Sequence, residues 1–286
     1  MILIDFNQIA LSSIFAMSNE LNQLDDDETD TLKLIRHVVL DTIKEYKKYY
    51  SKSYGEVVIA CDSKNYWRRD IFPFYKSNRA KERDQDKHNW KLIFKCLDIV
   101  RSDLIEFFPY KVILIDNVEA DDIIAVLAKN SKEKVLIISR DHDYNQLYKY
   151  SHVKQYNPLH KKILDIPNPD QVLIEHIVRG DRKDGIPGIL GDDDVFIKVG
   201  KRQGRLTAKK MENYLTNGYA GCENDYQKDN WKRNQRLIDF DFIPNDIQEN
   251  IINTYNTTTI QPDINVVMDY LIKNRCNLLL ADIKEF

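Results

Sequence analysis

The chain is poor in the residues that mark unusual protein classes. Nine glycines in 286 residues are too few for a fibrous repeat or a disordered low-complexity chain, and no internal repeat is visible. Four cysteines, at 61, 96, 222 and 276, form no Cys-x-x-Cys pair and have no histidines at ligand spacing. That excludes a cysteine-built zinc site and a disulfide framework, and the expected setting is a reducing cytoplasm, the host's if the source is viral. No run approaches the ~18 uninterrupted apolar residues of a membrane span. The opening "MILIDFNQIALSSIF" lacks a basic leader and carries Asp5 inside its apolar run, so it is not read as a signal peptide. Positive charge is not in excess either: the formal net charge is −3.

What is present is segregated charge. Between Lys64 and Lys95 ten Lys or Arg face four acids, and between Arg182 and Lys210 eight face four. A charge run is usually a solvated face; two of them beside an acidic cluster point to a polyanion. Tyr66, Trp67, Phe72, Phe74 and Tyr75 interleave with the first run, the pattern of a channel for a single strand or of a loop packed on the domain.

Short Val- and Ile-rich runs, "MILI", "EVVIAC", "KVILI" and "KVLIIS", alternate with helical periodicity over 30–50, 88–108 and 119–129, which predicts a parallel sheet with crossover helices. "NQLDDDETD" reads as a loop, and "VKQYNPLHKKILDI" as a hairpin closing the first lobe. The expected architecture is an α/β, Rossmann-like lobe over 1–165 and a smaller helical lobe over 166–286. The 62–95 segment is too long and too rich in chemistry to be a mere connection.

Each predicted strand ends at an acid: Asp5, Asp62, Asp116, then Asp141 and Asp143. The carboxyl ends of parallel strands share one edge, where ligands bind. "NVEADDIIA" adds Glu119, Asp121 and Asp122, and "RGDRKDGIPG" adds Asp181 and Asp184. Singly, each fits a helix cap or a helix dipole, and Asp116 is left to that role. Together, six to eight carboxylates at one edge repel unless cations hold them, and hard divalent ions suit an all-oxygen donor set. Asp141 and Asp143, two apart on an extended segment, point in different directions and can serve two ions. Such a pair clamps the attacking water and the leaving oxygen of a phosphodiester.

In order along the chain, "LIDFNQIALS", "YWRRDIFPFYKSNR", "EADDIIAVL", "ISRDHDYNQL", "HVKQYNPLHKK", "RGDRKDGIPG" and "LIDFDFIP" resemble the structure-specific 5′ nucleases, the family of flap endonucleases and polymerase 5′-nuclease domains, nearest to its phage ribonuclease H branch. The resemblance spans nearly the whole chain. It implies a PIN-like nuclease lobe with a helical gateway at about 62–95, a helical duplex-binding lobe, and two Mg2+ ions, with Mn2+ expected to substitute. It implies that Asp5, Asp62, Glu119, Asp121 and Asp141 serve the first ion, that Asp143, Asp181 and Asp184 serve the second, and that Asp122 sits beside them. It further implies that Lys76 and Arg79 neutralise the scissile phosphate, that Tyr75 stacks on a base, and that Arg68 and Arg69 belong to the same basic gateway. The family's short hairpin holding a monovalent cation is interrupted here by "LGDDDVFIKVGKRQ". Asp192, Asp193 and Asp194 are thereby expected to oppose phosphate, leaving duplex contact to Lys198, Lys201, Arg202 and Arg205.

The implied function is 5′ to 3′ hydrolysis of RNA–DNA hybrids and of flapped or nicked duplex DNA by a monomer. A sliding clamp and a single-strand-binding protein would be partners from the family's setting in replication. Competing readings are a PIN-type ribonuclease, which lacks a long gateway and helical second lobe, a DNA-junction binder with a structural ion, and an aspartyl phosphotransferase, which gives no reason for "YKSNR".

Overall fold

The computed structural model describes residues 1–24, 27–260 and 263–286, those at 80–82 by their backbone alone. Part of the acidic loop "NQLDDDETD", Asp25 and Asp26, lies outside the described residues. In chain order the elements are β1 (Ile2–Asp5), α1 (Phe6–Ala16), α2 (Ser18–Asn22), α3 (Glu28–Tyr54), β2 (Val57–Cys61), α4 (Arg68–Ile71), α5 (Asn78–Asp84), α6 (Trp90–Phe107), β3 (Lys111–Leu114), α7 (Ala120–Asn130), β4 (Val135–Ile138), β5 (Val153–Asn157), β6 (Lys162–Ile163), α8 (Pro169–Arg179), α9 (Ala208–Asn217), α10 (Asp225–Ile238), α11 (Asn245–Thr257), α12 (Ile264–Lys273) and α13 (Asn277–Leu280).

The sheet runs β3-β2-β1-β4-β5-β6. Every pair is parallel except β5 with β6, the short antiparallel hairpin expected from the sequence. The chain builds outward from β1 to β3 and then returns to place β4 on the other side of β1. The order therefore reverses at β1, which is where an open parallel sheet leaves a crevice at its carboxyl edge. The continuous apolar strands "ILI" and "VLII" are buried on both faces, as covered parallel strands must be.

One face packs α1, α3 and α6 around Ile2, Ile4, Val57, Ile59, Leu136 and Ile138; the other packs α7 and α11 around Leu3, Val58, Ile113, Val135 and Ile137. A third core, with Ile177, Ile189, Met211, Tyr214 and Trp231, holds α8, α9 and α10 together. The C-terminal helices do not form a wholly separate lobe. Val267 and Leu271 of α12, with Leu279 and Phe286, join the core under α3 and α6, and Ile251 of α11 joins the core under α7. Only the α8 to α10 region stands on a core of its own, and Phe72 and Tyr75 from the 62–95 segment are built into it.

Candidate active site

Asp5 is the last residue of β1 and the N-cap of α1, where its Oδ1 accepts from the Gln8 amide at 3.1 Å. That bond uses one lone pair and aims the remaining oxygen across the sheet edge, where Ser139 Oγ (3.3 Å) and Tyr144 Oη (3.5 Å) donate to Oδ2. Asp62 follows β2, accepting from Asn7 Nδ2 at 2.8 Å and from the Ala120 amide at the start of α7 at 2.9 Å. Asp121, in the first turn of α7, accepts from the Tyr144 hydroxyl. Beyond β4 the chain turns through Ser139, whose Oγ accepts from the Asp141 amide, and Asp141 Oδ1 accepts from the Asp143 amide, both at 3.1 Å. The two aspartates are thus fixed by one local turn.

Electrostatics show how close these groups are. Burial, then the Asp62 and Asp141 charges, pushes the Asp5 carboxyl up to about 7. Asp121 is raised well above the carboxylate range by burial and by Asp5 and Asp141, and Asp143 is raised likewise by burial and by Asp141, Asp121, Asp184 and Asp181. Carboxyls held this way cost stability unless a cation neutralises them, and the mainly oxygen donor set fits hard divalent ions.

The second group gathers where α8 ends. Gly180, at φ +69°, reverses the chain; a Cβ there would lie 2.3 Å from the Ile186 carbonyl oxygen, so only glycine allows the turn. Asp181 comes back over the helix end, where His176 Nε2 lies 3.3 Å from its Oδ2 and His176 Nδ1 lies 3.5 Å from Asp143 Oδ1. Burial would raise the Asp181 carboxyl, but the His176 contact and the Lys183 and Asp184 amides hold it down to about 2. Burial also opposes ionisation of Asp184, and the Lys76 and Arg79 charges outweigh it and keep its pKa low. His176 was not singled out in the sequence. Its position one turn before a helix end followed by Gly-Asp was the available signal.

Several residues take places other than those the sequence suggested. Asp122 is fully buried and points away from the acidic edge: its carboxylate accepts from Trp67 Nε1 (2.9 Å), from the Glu119 amide (3.2 Å) and from Arg68. Arg68, expected to face nucleic acid, is 3% exposed; it bridges Glu119 and Asp122 and donates from Nε to the Leu237 carbonyl at 2.8 Å. Tyr75 has no free ring face for a base, because the ring sits in the third core and its hydroxyl donates to Asp184 (3.0 Å) or to Glu119. Glu119 is itself fully buried and held by Arg68, Lys76 and Tyr75. Lys76, with φ +55°, lies between Glu119 and Asp184, one acid from each group.

The remaining gateway cations are better exposed. Arg79 bonds Asp184 at 2.5 Å while keeping 41% of its side chain in solvent. With Arg83, Lys183, Tyr66, Trp90 and Phe94 it borders a cleft of about 480 Å³ that reaches Asp62. Arg69 is exposed, over the Tyr66 ring. Farther off, the acids of the inserted loop are spent internally: Lys198 and Lys201 pair with Asp194, Lys201 also with Asp192, and Arg233 with Asp193. Lys198 and Lys201 are therefore neutralised in place, and Arg202 and Arg205 are the exposed cations of that loop without a recorded acid partner. If these two carry duplex contact, Arg202→Ala and Arg205→Ala should each lower the slope of log affinity against log salt by about 1. Replacing potassium with lithium at constant ionic strength should change affinity little. The measurement is flap binding in calcium; a several-fold potassium preference would show a monovalent site.

A parallel sheet whose carboxyl edge gathers aspartates from five chain segments, beside a basic cleft, defines the class of a metal-dependent phosphodiester hydrolase. The chain belongs to the 5′-3′ exonuclease and flap endonuclease family. Residues 1–175 match the "5′-3′ exonuclease, N-terminal resolvase-like domain" and residues 168–286 match the "T4 RNase H, C terminal" domain. It is similar to ribonuclease H of Enterobacteria phage T4, 36% identical over 99% of this chain and 95% of that protein, and to a 5′-3′ exonuclease of Mycoplasmopsis pulmonis, 32% identical over 44% and 43%. The fold matches bacteriophage T5 5′-exonuclease with bound zinc at a TM-score of 0.60 and 18% identity, covering 90% of this chain and 98% of that one. It also matches the T5 flap endonuclease in a pseudo-enzyme–product complex with DNA and metal ions, at 0.60 and 17%, covering 90% and 99%. The protein is thus a nuclease of the 5′-3′ exonuclease and ribonuclease H family.

Proposed function

We propose that the protein removes nucleotides 5′ to 3′ from RNA–DNA hybrids and from nicked or flapped duplex DNA, using two Mg2+ ions. The observation that carries this reading is the meeting of Asp5, Asp62, Asp121, Asp141 and Asp143 at the sheet edge, with Asp181 and Asp184 closing one side. Asp5, Asp62, Asp121 and Asp141 would hold one ion, and Asp143, Asp181 and Asp184 the other. When bound, such ions polarise the scissile phosphate and lower the pKa of water. Asn7, Ser139 and Tyr144 orient the carboxylates by donating to them. Glu119 and Asp122 serve the site from behind, anchored by Arg68.

Arg79 is the cation placed to receive the scissile phosphate, since it can exchange Asp184 for a phosphate oxygen without leaving the cleft. Arg79→Ala should lower the single-turnover rate by ~10²-fold while flap affinity changes by less than about threefold. Equal losses in both would make it a general binding residue.

The deciding experiment digests 5′-labelled flap, nicked and hybrid duplexes with and without magnesium. Short labelled products appearing from the 5′ end, only with metal, are expected. Cutting without metal, or from the 3′ end, would refute the reading.

A further inference from the structure

Every acid of the second group except Asp143 and Asp181 is engaged by a cation of the protein; those two instead share His176. One donor atom from each of Asp143, His176 and Asp181 lies within 4.8 Å of the others. Their side chains are equally accessible, 19% for Asp143, 20% for His176 and 21% for Asp181, so they open on the same solvent.

We infer that His176 is a nitrogen ligand of the second ion, which gives that site a preference for manganese, cobalt or zinc over magnesium. The inference rests on the two-ion reading above. A neutral imidazole carries one N–H. If Nε2–H donates to Asp181 at 3.3 Å, the Nδ1 lone pair faces Asp143 Oδ1 at 3.5 Å. Two lone pairs at that distance repel; a cation between them makes both contacts favourable. Metal bonds of about 2.0–2.2 Å to nitrogen and oxygen place two ligands of a tetrahedral ion roughly 3.4 Å apart, close to the spacing found. An imidazole that binds metal through one nitrogen and donates the other N–H to a carboxylate has its tautomer and ring plane fixed. Replacing an oxygen donor by imidazole moves a site away from magnesium and toward the transition metals. The helix end supplies the rigidity: α8 carries His176, and the Gly180 turn sets Asp181 against it.

The test uses the full chain loaded with Mn2+, with stoichiometry from equilibrium dialysis and pulsed EPR for ligand nuclei. Two bound Mn2+ are expected, one showing coupling to an imidazole 14N. The coupling should persist in His142→Asn and vanish in His176→Asn, which should bind one of the two Mn2+ about tenfold or more weakly while Mg2+ affinity falls less than about threefold. Protein labelled with 15N-histidine gives the answer without a substitution, since the coupling must change nucleus. Two Mn2+ without imidazole coupling, the result if His176 only donates hydrogen bonds as a cation, would overturn this inference and leave the two-ion reading standing. Fewer than two bound Mn2+ would overturn both.

Discussion

Asp141→Asn and Asp143→Asn should each lower the rate of phosphodiester hydrolysis by ~10²–10³-fold or more, and neither should destabilise the metal-free fold. Both side chains belong to a turn whose hydrogen bonds an amide can keep, because the Asp141 oxygen that accepts from the Asp143 amide survives in asparagine. What is removed is a charge whose neighbours repel it. Asp141 raises the pKa of Asp5, Asp121 and Asp143, so its neutralisation relieves three groups at once. In chelator the Asp141→Asn protein should melt at or above the wild-type temperature, and magnesium should stabilise it less. A large drop in metal-free melting temperature would show that the pair holds the fold rather than the ions.

The same repulsion gives a pH dependence of definite sign. The Asp5 carboxyl titrates near 7 in the folded chain against 3.8 for the ordinary group. A folded pKa above the unfolded one favours folding while the group is protonated, and that stability is lost as pH rises from about 4 through about 7. Asp121 and Asp143 shift in the same direction. Metal-free protein should therefore lose stability over this window, and saturating magnesium should flatten the loss. Asp181 works in the opposite sense but only at lower pH, since its folded pKa is about 2.

The sheet and the acids at its edge were legible because both follow from local pattern. Val and Ile runs with helix-length spacing leave few topologies other than a parallel sheet, and that topology carries every strand-ending acid to one side. Neighbours that differ only in direction were not legible. Asp121 reaches the acidic edge while Asp122, next along α7, turns back to Arg68 and Trp67. Arg68 and Arg69 read identically in "WRRD", yet one is buried against acids more than fifty positions away and the other is exposed. Which side of a short helix meets such distant partners is decided by packing alone. His176 escaped for a related reason: a histidine inside an amphipathic helix declares nothing until the Gly180 turn folds Asp181 back over it.

Arg68→Met should destabilise the protein by about 3–5 kcal/mol, the largest stability effect expected of any single change near the site. Arg68 is buried with two carboxylates equally buried, Nη1 donating to Glu119 and Nη2 facing Asp122, both at 2.8 Å. Replacing such a network wholesale by apolar residues can be nearly neutral, but removing one member strands the others as uncompensated buried charge. Lys76 still faces Glu119; Asp122 is left with the Trp67 indole N–H and a backbone amide. Methionine fills much of the volume, which separates the electrostatic loss from a cavity. The bond from Arg68 Nε to the Leu237 carbonyl also disappears, and with it a tie between α10 and the gateway. The double variant Arg68→Met with Asp122→Asn should recover part of the loss, because the stranded charge has gone. Urea unfolding of the three proteins at neutral pH measures this directly. A loss under about 1 kcal/mol in the single variant, or no recovery in the double, would mean that Arg68 contributes packing rather than charge balance.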